Sequence, residues 1–223
     1  MKGVVFDLDE TLVDRRGSLD VYARNLFSAF AGSAVVPADE FVAEFHRLDG
    51  NGRVPRDEFF AALAEALLPD VATHRIKEHF EATAWLQPRL FDGVVDALRQ
   101  LRADGWRIGI VTNGGVPAQS AKIENSGLYR LIDGHVISAA IGVKKPAPEI
   151  YRHAIERLRI DPRQSWFVGD DPRADIWGAK QSGFRTCWVE RYSAWPADLP
   201  RCYDARIGDT ADVLDIIASA ARD

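Results

Sequence analysis

Gly3-Val4-Val5-Phe6-Asp7-Leu8-Asp9-Glu10-Thr11-Leu12 begins as an apolar, β-branched run and breaks into alternating carboxylates. A short run of this kind, stopped by a polar turn, predicts a strand over residues 3–8 buried on both faces, as in a parallel sheet. Two further runs repeat the pattern. Trp106-Arg107-Ile108-Gly109-Ile110-Val111 stops at Thr112-Asn113-Gly114-Gly115, and Ser165-Trp166-Phe167-Val168 stops at Gly169-Asp170-Asp171-Pro172. Weaker strand candidates cover residues 135–138, 185–189 and 204–207. Val94, Ala97, Leu98 and Leu101 recur at helical spacing ahead of Gly105, and residues 148–158, 174–182 and 212–221 also read as helices. Strand and helix alternate from residue 92 onward, which predicts an α/β class with a parallel sheet covered by helices on both faces.

Residues 16–87 interrupt that rhythm. They contain no clear strand, and Leu19, Tyr22, Leu26, Phe41, Phe45, Phe59, Phe60 and Leu63 follow helical spacing. The expected division is therefore an α/β core over 1–15 and 88–223 with an all-helical cap over 16–87 inserted after the first strand. Segments 14–17 and 86–91 are the expected hinges of a cap that opens and closes. Within the cap, Asp49-Gly50-Asn51-Gly52 imitates a calcium loop. Counting Asp49 as position 1, the sixth position is Val54 rather than Gly and the fifth is Arg53, so a turn between helices is expected. His46, His74 and His79 lack metal-ligand spacing, and the cap aromatics read as its core.

The whole chain has 223 residues, 47% hydrophobic and 27% charged, enough to bury a core without disulfides. Its formal charge of −5 argues against a nucleic-acid partner, and it holds no apolar run long enough for a bilayer. Cys187 and Cys202 form no CxxC pair, which fits a reducing, cytoplasmic setting. A monomer or weak homodimer is the expected state.

The chemistry gathers where the strands stop, since ligands of open parallel sheets bind at the carboxyl ends. Asp7, Asp9, Asp170, Asp171 and Asp175 would crowd one crevice against Lys144 and Lys145. Carboxylates at contact distance repel, and a hard divalent cation such as Mg²⁺ removes the conflict while recruiting an anionic substrate. The Thr112 hydroxyl, loop N–H groups of Asn113 and Gly114, and the Lys145 charge could hold a phosphate. Asp7 could then attack phosphorus, with Asp9 as acid and base.

At these residues the chain resembles the haloacid dehalogenase superfamily. Asp7-Leu8-Asp9-Glu10-Thr11 is similar to its first motif and Val111-Thr112-Asn113-Gly114 to its second. Lys144-Lys145-Pro146 is similar to the third, and Gly169-Asp170-Asp171-Pro172-Arg173-Ala174-Asp175 to the acidic fourth. The resemblance implies a Rossmann-like core and Mg²⁺-dependent hydrolysis of a small phosphate monoester through an aspartyl phosphate. By matched position it implies Asp7 as nucleophile and metal ligand, and Asp9 as acid/base that also binds the metal through its carbonyl. Thr112 and Lys145 would hold the phosphoryl group and Asp170 would complete the metal ligands. Asp175 would act through water on the metal or hold Lys145, and the role of Asp171 stays open. A phosphomutase or phosphotransferase shares these residues. A 2-haloacid dehalogenase is disfavoured by the presence of Asp9, and a non-catalytic phospho-binding protein by the intact set.

Overall fold

A computed structural model describes residues 1–220. Its elements run β1 (Gly3–Phe6), β2 (Val13–Asp14), α1 (Arg15–Ala29), α2 (Ala38–Asp49), α3 (Arg56–Leu67), α4 (Thr73–Thr83), β3 (Arg89–Leu90), α5 (Val94–Ala103) and β4 (Arg107–Thr112). There follow α6 (Val116–Asn125), β5 (Gly134–Ile137), α7 (Ser138–Ile141), α8 (Pro148–Leu158), β6 (Trp166–Gly169), α9 (Gly178–Gln181), β7 (Arg185–Val189), β8 (Ala205–Ile207) and α10 (Val213–Ala220). The chain divides into two compact units, residues 1–14 with the chain from Leu90 onward, and Arg15–Arg89.

The larger unit is a six-stranded sheet in the order β5-β4-β1-β6-β7-β8. Every pairing in it is parallel. Strand order runs outward from β1 through β4 to β5, then returns to β6 on the opposite side of β1. That reversal makes the carboxyl end of β1 a topological switch point, where a crevice opens in doubly wound sheets. The period-2 alternation of strands sorts the core into two layers. Val4, Phe6, Ile108, Ile110, Trp166 and Val168 pack on one face with Val94, Leu98 and Val213. Val5, Val111 and Phe167 pack on the other with Ile150, Tyr151 and Ala154 of α8. This is the Rossmann-like core with an inserted helical cap that the sequence suggests.

The strands expected over 135–138, 165–168 and 204–207 are shifted or shortened by one residue, and four other boundaries differ for local reasons. β1 ends at Phe6 because the chain folds back at once. The N–H groups of Leu12 and Val13 both donate to Leu8 O, and Glu10 adopts a left-handed φ of 61°. β4 runs one residue further than predicted, so Thr112 belongs to the strand and pairs with Ile137. The helix expected over 174–182 starts earlier, as a π-helical turn over Pro172–Trp177 that leads into α9. There the Asp171 carboxylate caps the N–H groups of Arg173 and Ala174, and Asp171 O accepts from both Asp175 N and Ile176 N. The last helix begins at Val213, after a 3-10 turn over Thr210–Asp212; its expected final residue, Ala221, lies outside the described residues. Helix α6, absent from the sequence reading, follows β4 directly.

The smaller unit holds α1 to α4. Tyr22 meets Phe80 edge-on at 5.0 Å, and Phe45 meets Phe59 at 5.2 Å, so the aromatics build its core rather than a binding platform. α2 stops at Gly50 in the left-handed region. Asp49, 1% exposed, accepts from Arg15 Nη2 at 2.7 and 2.8 Å, from Arg56 Nη1 at 3.0 Å and from Gly52 N at 2.9 Å. Burial pushes its carboxyl up, but Arg15 and Arg56 outweigh that and hold it below the ordinary range. Its oxygens are committed to cations of the chain, so the imitation calcium loop is a helix-to-helix turn. Among the described residues no helix is long and apolar enough to cross a membrane.

Removing one partner of a buried ion pair strands the other in low dielectric. Asp49→Ala is therefore expected to lower unfolding free energy by about 3–5 kcal/mol in urea titrations, with Arg15 left inside without its carboxylate.

Candidate active site

Asp7 follows the last residue of β1, and its N–H extends the ladder one step by donating to Val168 O at 2.9 Å. That fixes its buried carboxylate over the carboxyl edge of the central strand. Lys145 Nζ, equally buried, donates to Asp7 Oδ1 at 2.5 Å, Asp175 Oδ1 at 2.7 Å and Val111 O at 2.9 Å. An ammonium has three donors, and all three are used. Asn113 holds the same lysine by its backbone: its Nδ2 donates to Lys145 O at 3.0 Å and its Oδ1 accepts from Lys145 N at 2.8 Å. Lys144 is exposed, which leaves Lys145 as the lysine of the site.

The second acidic strand end is built as tightly. Asp175 Oδ2 accepts from Asp171 N at 2.9 Å. Gly169 makes room for it, since a Cβ there would run into the Asp175 side chain. Trp188 Nε1 donates to Asp170 O at 3.1 Å, and the Tyr151 hydroxyl donates to Ala174 O, so both sides of the turn are tied down. Carboxylate oxygens of Asp7, Asp170 and Asp175 lie within 4.8 Å of one another.

Three carboxylates face one ammonium. Burial raises the Asp7 pKa from 3.8 to about 7, against the pull of Lys145 and with the push of Asp175. Burial likewise raises Asp170 well above the ordinary range, with Asp175 and Asp7 adding repulsion. Asp175 is raised by burial too, with Lys145 opposing. Burial alone would lower Lys145, but Asp175 and Asp7 outweigh it and keep the ammonium charged. A divalent cation with oxygen ligands is the group that fits this set, because it neutralises what the single lysine leaves unmatched.

The remaining candidates have partners of their own. Thr112 is buried at the end of β4, next in sequence to Asn113. The Gly114 N–H, expected to face a phosphate, instead donates to Ser138 Oγ at 2.9 Å. Asp171 uses its carboxylate as a cap. The carboxylate of Asp9, which adds to the repulsion on Asp7, has its own donors: Lys122 Nζ donates to both of its oxygens at 2.7 Å and Gln119 Nε2 to Oδ2 at 3.0 Å. The resemblance assigns Asp9 to the metal through its main-chain carbonyl, a role that leaves its carboxylate to these partners. Sequence reading missed Lys122, Gln119, Ser138 and Trp188. A helix signal at Pro117 with Gln119 and Lys122 three residues apart could have found the first two.

A family model described as haloacid dehalogenase-like hydrolase matches residues 1–183. The glyceraldehyde 3-phosphate phosphatase of Methanopyrus kandleri is 28% identical over 234 aligned residues, covering 100% of both chains. A plasmid phosphoglycolate phosphatase of Cupriavidus necator is 30% identical, covering 98% of this chain and 94% of its own. Among solved structures, the HAD-hydrolase YfnB of Bacillus subtilis, crystallised with magnesium, superposes with a TM-score of 0.80 at 21% identity over 97% of this chain and 98% of that one.

The raised carboxyls set a pH dependence. Folded Asp7, Asp170 and Asp175 bind protons more tightly than unfolded ones, so the folded chain holds more protons above the ordinary value of 3.8. Stability falls with rising pH wherever the folded state binds more protons. With chelator present, melting temperature is expected to fall as pH rises from about 4 to about 7, and Mg²⁺ is expected to restore it most at the upper end. Asp170→Asn, which removes one repelling charge, should flatten the fall; scanning calorimetry across pH reads both.

Proposed function

Because the chain belongs to the haloacid dehalogenase-like hydrolases, we propose that it hydrolyses the phosphate monoester of a small metabolite through an aspartyl phosphate on Asp7. The observation that carries this reading is the Asp7 carboxylate. It is fixed at the switch point of the sheet, bonded to Lys145 and grouped with two more carboxylates. The full-length relatives named for glyceraldehyde 3-phosphate and phosphoglycolate support a small aliphatic phosphate as substrate. Two free cysteines, one buried, support a cytoplasmic setting.

In this reading Thr112, Asn113 and Lys145 orient the phosphoryl group, Lys145 exchanging one present acceptor for a phosphoryl oxygen. An Asp7 oxygen forms a bond to phosphorus as the ester P–O bond breaks, and the leaving oxygen takes a proton from Asp9. Water then attacks the aspartyl phosphate with Asp9 as base, which frees phosphate and regenerates the Asp7 carboxylate. Asp7 and Asp170, with the Asp9 carbonyl, would hold Mg²⁺, and Asp175 would keep Lys145 in place. When bound, the cation supplies charge neutralisation for a dianionic substrate entering an acidic site.

Hydrolysis of a generic aryl phosphate with and without Mg²⁺ tests the proposal. Metal-dependent turnover is expected, and Asp7→Asn should reduce it by at least about 10³-fold, as loss of a nucleophile does. Equal turnover by parent and variant would refute it.

A further inference from the structure

The acid/base carboxylate is held by helix α6, through a pair of residues that belongs to none of the four motifs. Lys122 and Gln119 lie three residues apart on one face of the helix, and both are buried. Lys122 Nζ spans the two Asp9 oxygens at 2.7 Å each, while Gln119 Nε2 meets Oδ2 at 3.0 Å. The same Nε2 donates to Asn113 O at 3.1 Å, so the pair also ties the loop after β4, whose Asn113 grips Lys145. Gln119 Oε1 is buried with no hydrogen-bond partner. A buried acceptor of this kind has capacity for one donor, which a water molecule beside Asp9 would offer.

We propose that Lys122 and Gln119 are positioning residues that fix the Asp9 carboxylate as proton acceptor for the water attacking the aspartyl phosphate. The inference rests on the phosphatase reading above. Each of these three hydrogen bonds is donated to Asp9, so both oxygens are presented as acceptors and the plane of the carboxylate is locked. In the half-reaction concerned, the water oxygen bonds to phosphorus as the P–O bond to Asp7 breaks. The electron pair returns to the Asp7 carboxylate, and one water proton passes to Asp9. Formation of the intermediate from an aryl phosphate depends little on a proton donor, because the aryl oxide is a good leaving group. The pair therefore acts on the two halves of that reaction unequally.

Stopped-flow and steady-state kinetics of Lys122→Met with an aryl phosphate and Mg²⁺ separate the halves. The variant is expected to lose roughly ten- to hundredfold in kcat, the scale of a misoriented catalytic group. KM should fall in parallel, kcat/KM should stay close to the parent, and a stoichiometric burst of aryl alcohol should appear as aspartyl phosphate accumulates. Lys122→Arg, which can still donate to both oxygens, should recover most of kcat. If Lys122→Met does not fold, Gln119→Met is read by the same partition, with the same burst expected. A joint fall of kcat and kcat/KM without a burst, or unchanged kinetics, overturns the inference while leaving the phosphatase reading intact. Absence of turnover by the parent overturns that reading, and the inference with it.

Discussion

Lys145 Nζ sits between two buried carboxylates and a strand carbonyl, and the backbone around it is arranged to keep it there. Without the ammonium, Asp7 and Asp175 would face each other in low dielectric, where like charges cannot both stay ionised. With it, Asp7 is held against the carboxyl end of β1 and Asp175 against β6. The lysine is in turn gripped at its own N–H and C=O by Asn113, so the loop after β4 sets the position of a residue 32 places further on. One cation among three carboxylates is still too little charge, and that deficit makes the site a place for a divalent ion.

The sheet supplies this arrangement because of its strand order. β1 lies between β4 and β6, so three chain segments distant in sequence end at one edge. The registers Phe6 with Ile110 and Phe6 with Val168 set the heights of those ends. Packing behind the edge then fixes orientation. Gly169 lets the Asp175 side chain lie against β6, and the Trp188 indole anchors the carbonyl of Asp170. Functional groups placed on strand ends and locked by such partners need little rearrangement before reaction.

Much of this was legible in the chain. The apolar runs at Val4, Ile108 and Phe167 carry β-branched and aromatic residues with polar stops, so periodicity and turn chemistry agree there. Three of the four motifs fall at strand ends for the same reason, while Lys144 and Lys145 lie in the loop between α7 and α8. What periodicity concealed is side-chain direction beyond those ends. Leu8 could have extended β1, but the fold-back onto its own carbonyl sends Asp7 and Asp9 to different partners. For Asp175 the resemblance leaves two roles open, acting on the metal through water or holding Lys145. The π-helical turn over Pro172–Trp177 brings its carboxylate both onto Lys145 and into the acidic group. Helix α6 escaped notice because its sequence, VPAQSAKIEN, has a weak apolar stripe and earns its place through Gln119 and Lys122 facing inward.

The central claim is that phosphorus becomes bonded to Asp7, and borohydride trapping tests it directly. The enzyme turning over an aryl phosphate with Mg²⁺ is quenched in acid, reduced, digested and mapped by mass spectrometry. Reduction converts an aspartyl phosphate to homoserine, so the account predicts homoserine at position 7 and aspartate at positions 9, 170 and 175. Homoserine at another of these positions, or turnover with aspartate unchanged at all four, would contradict it.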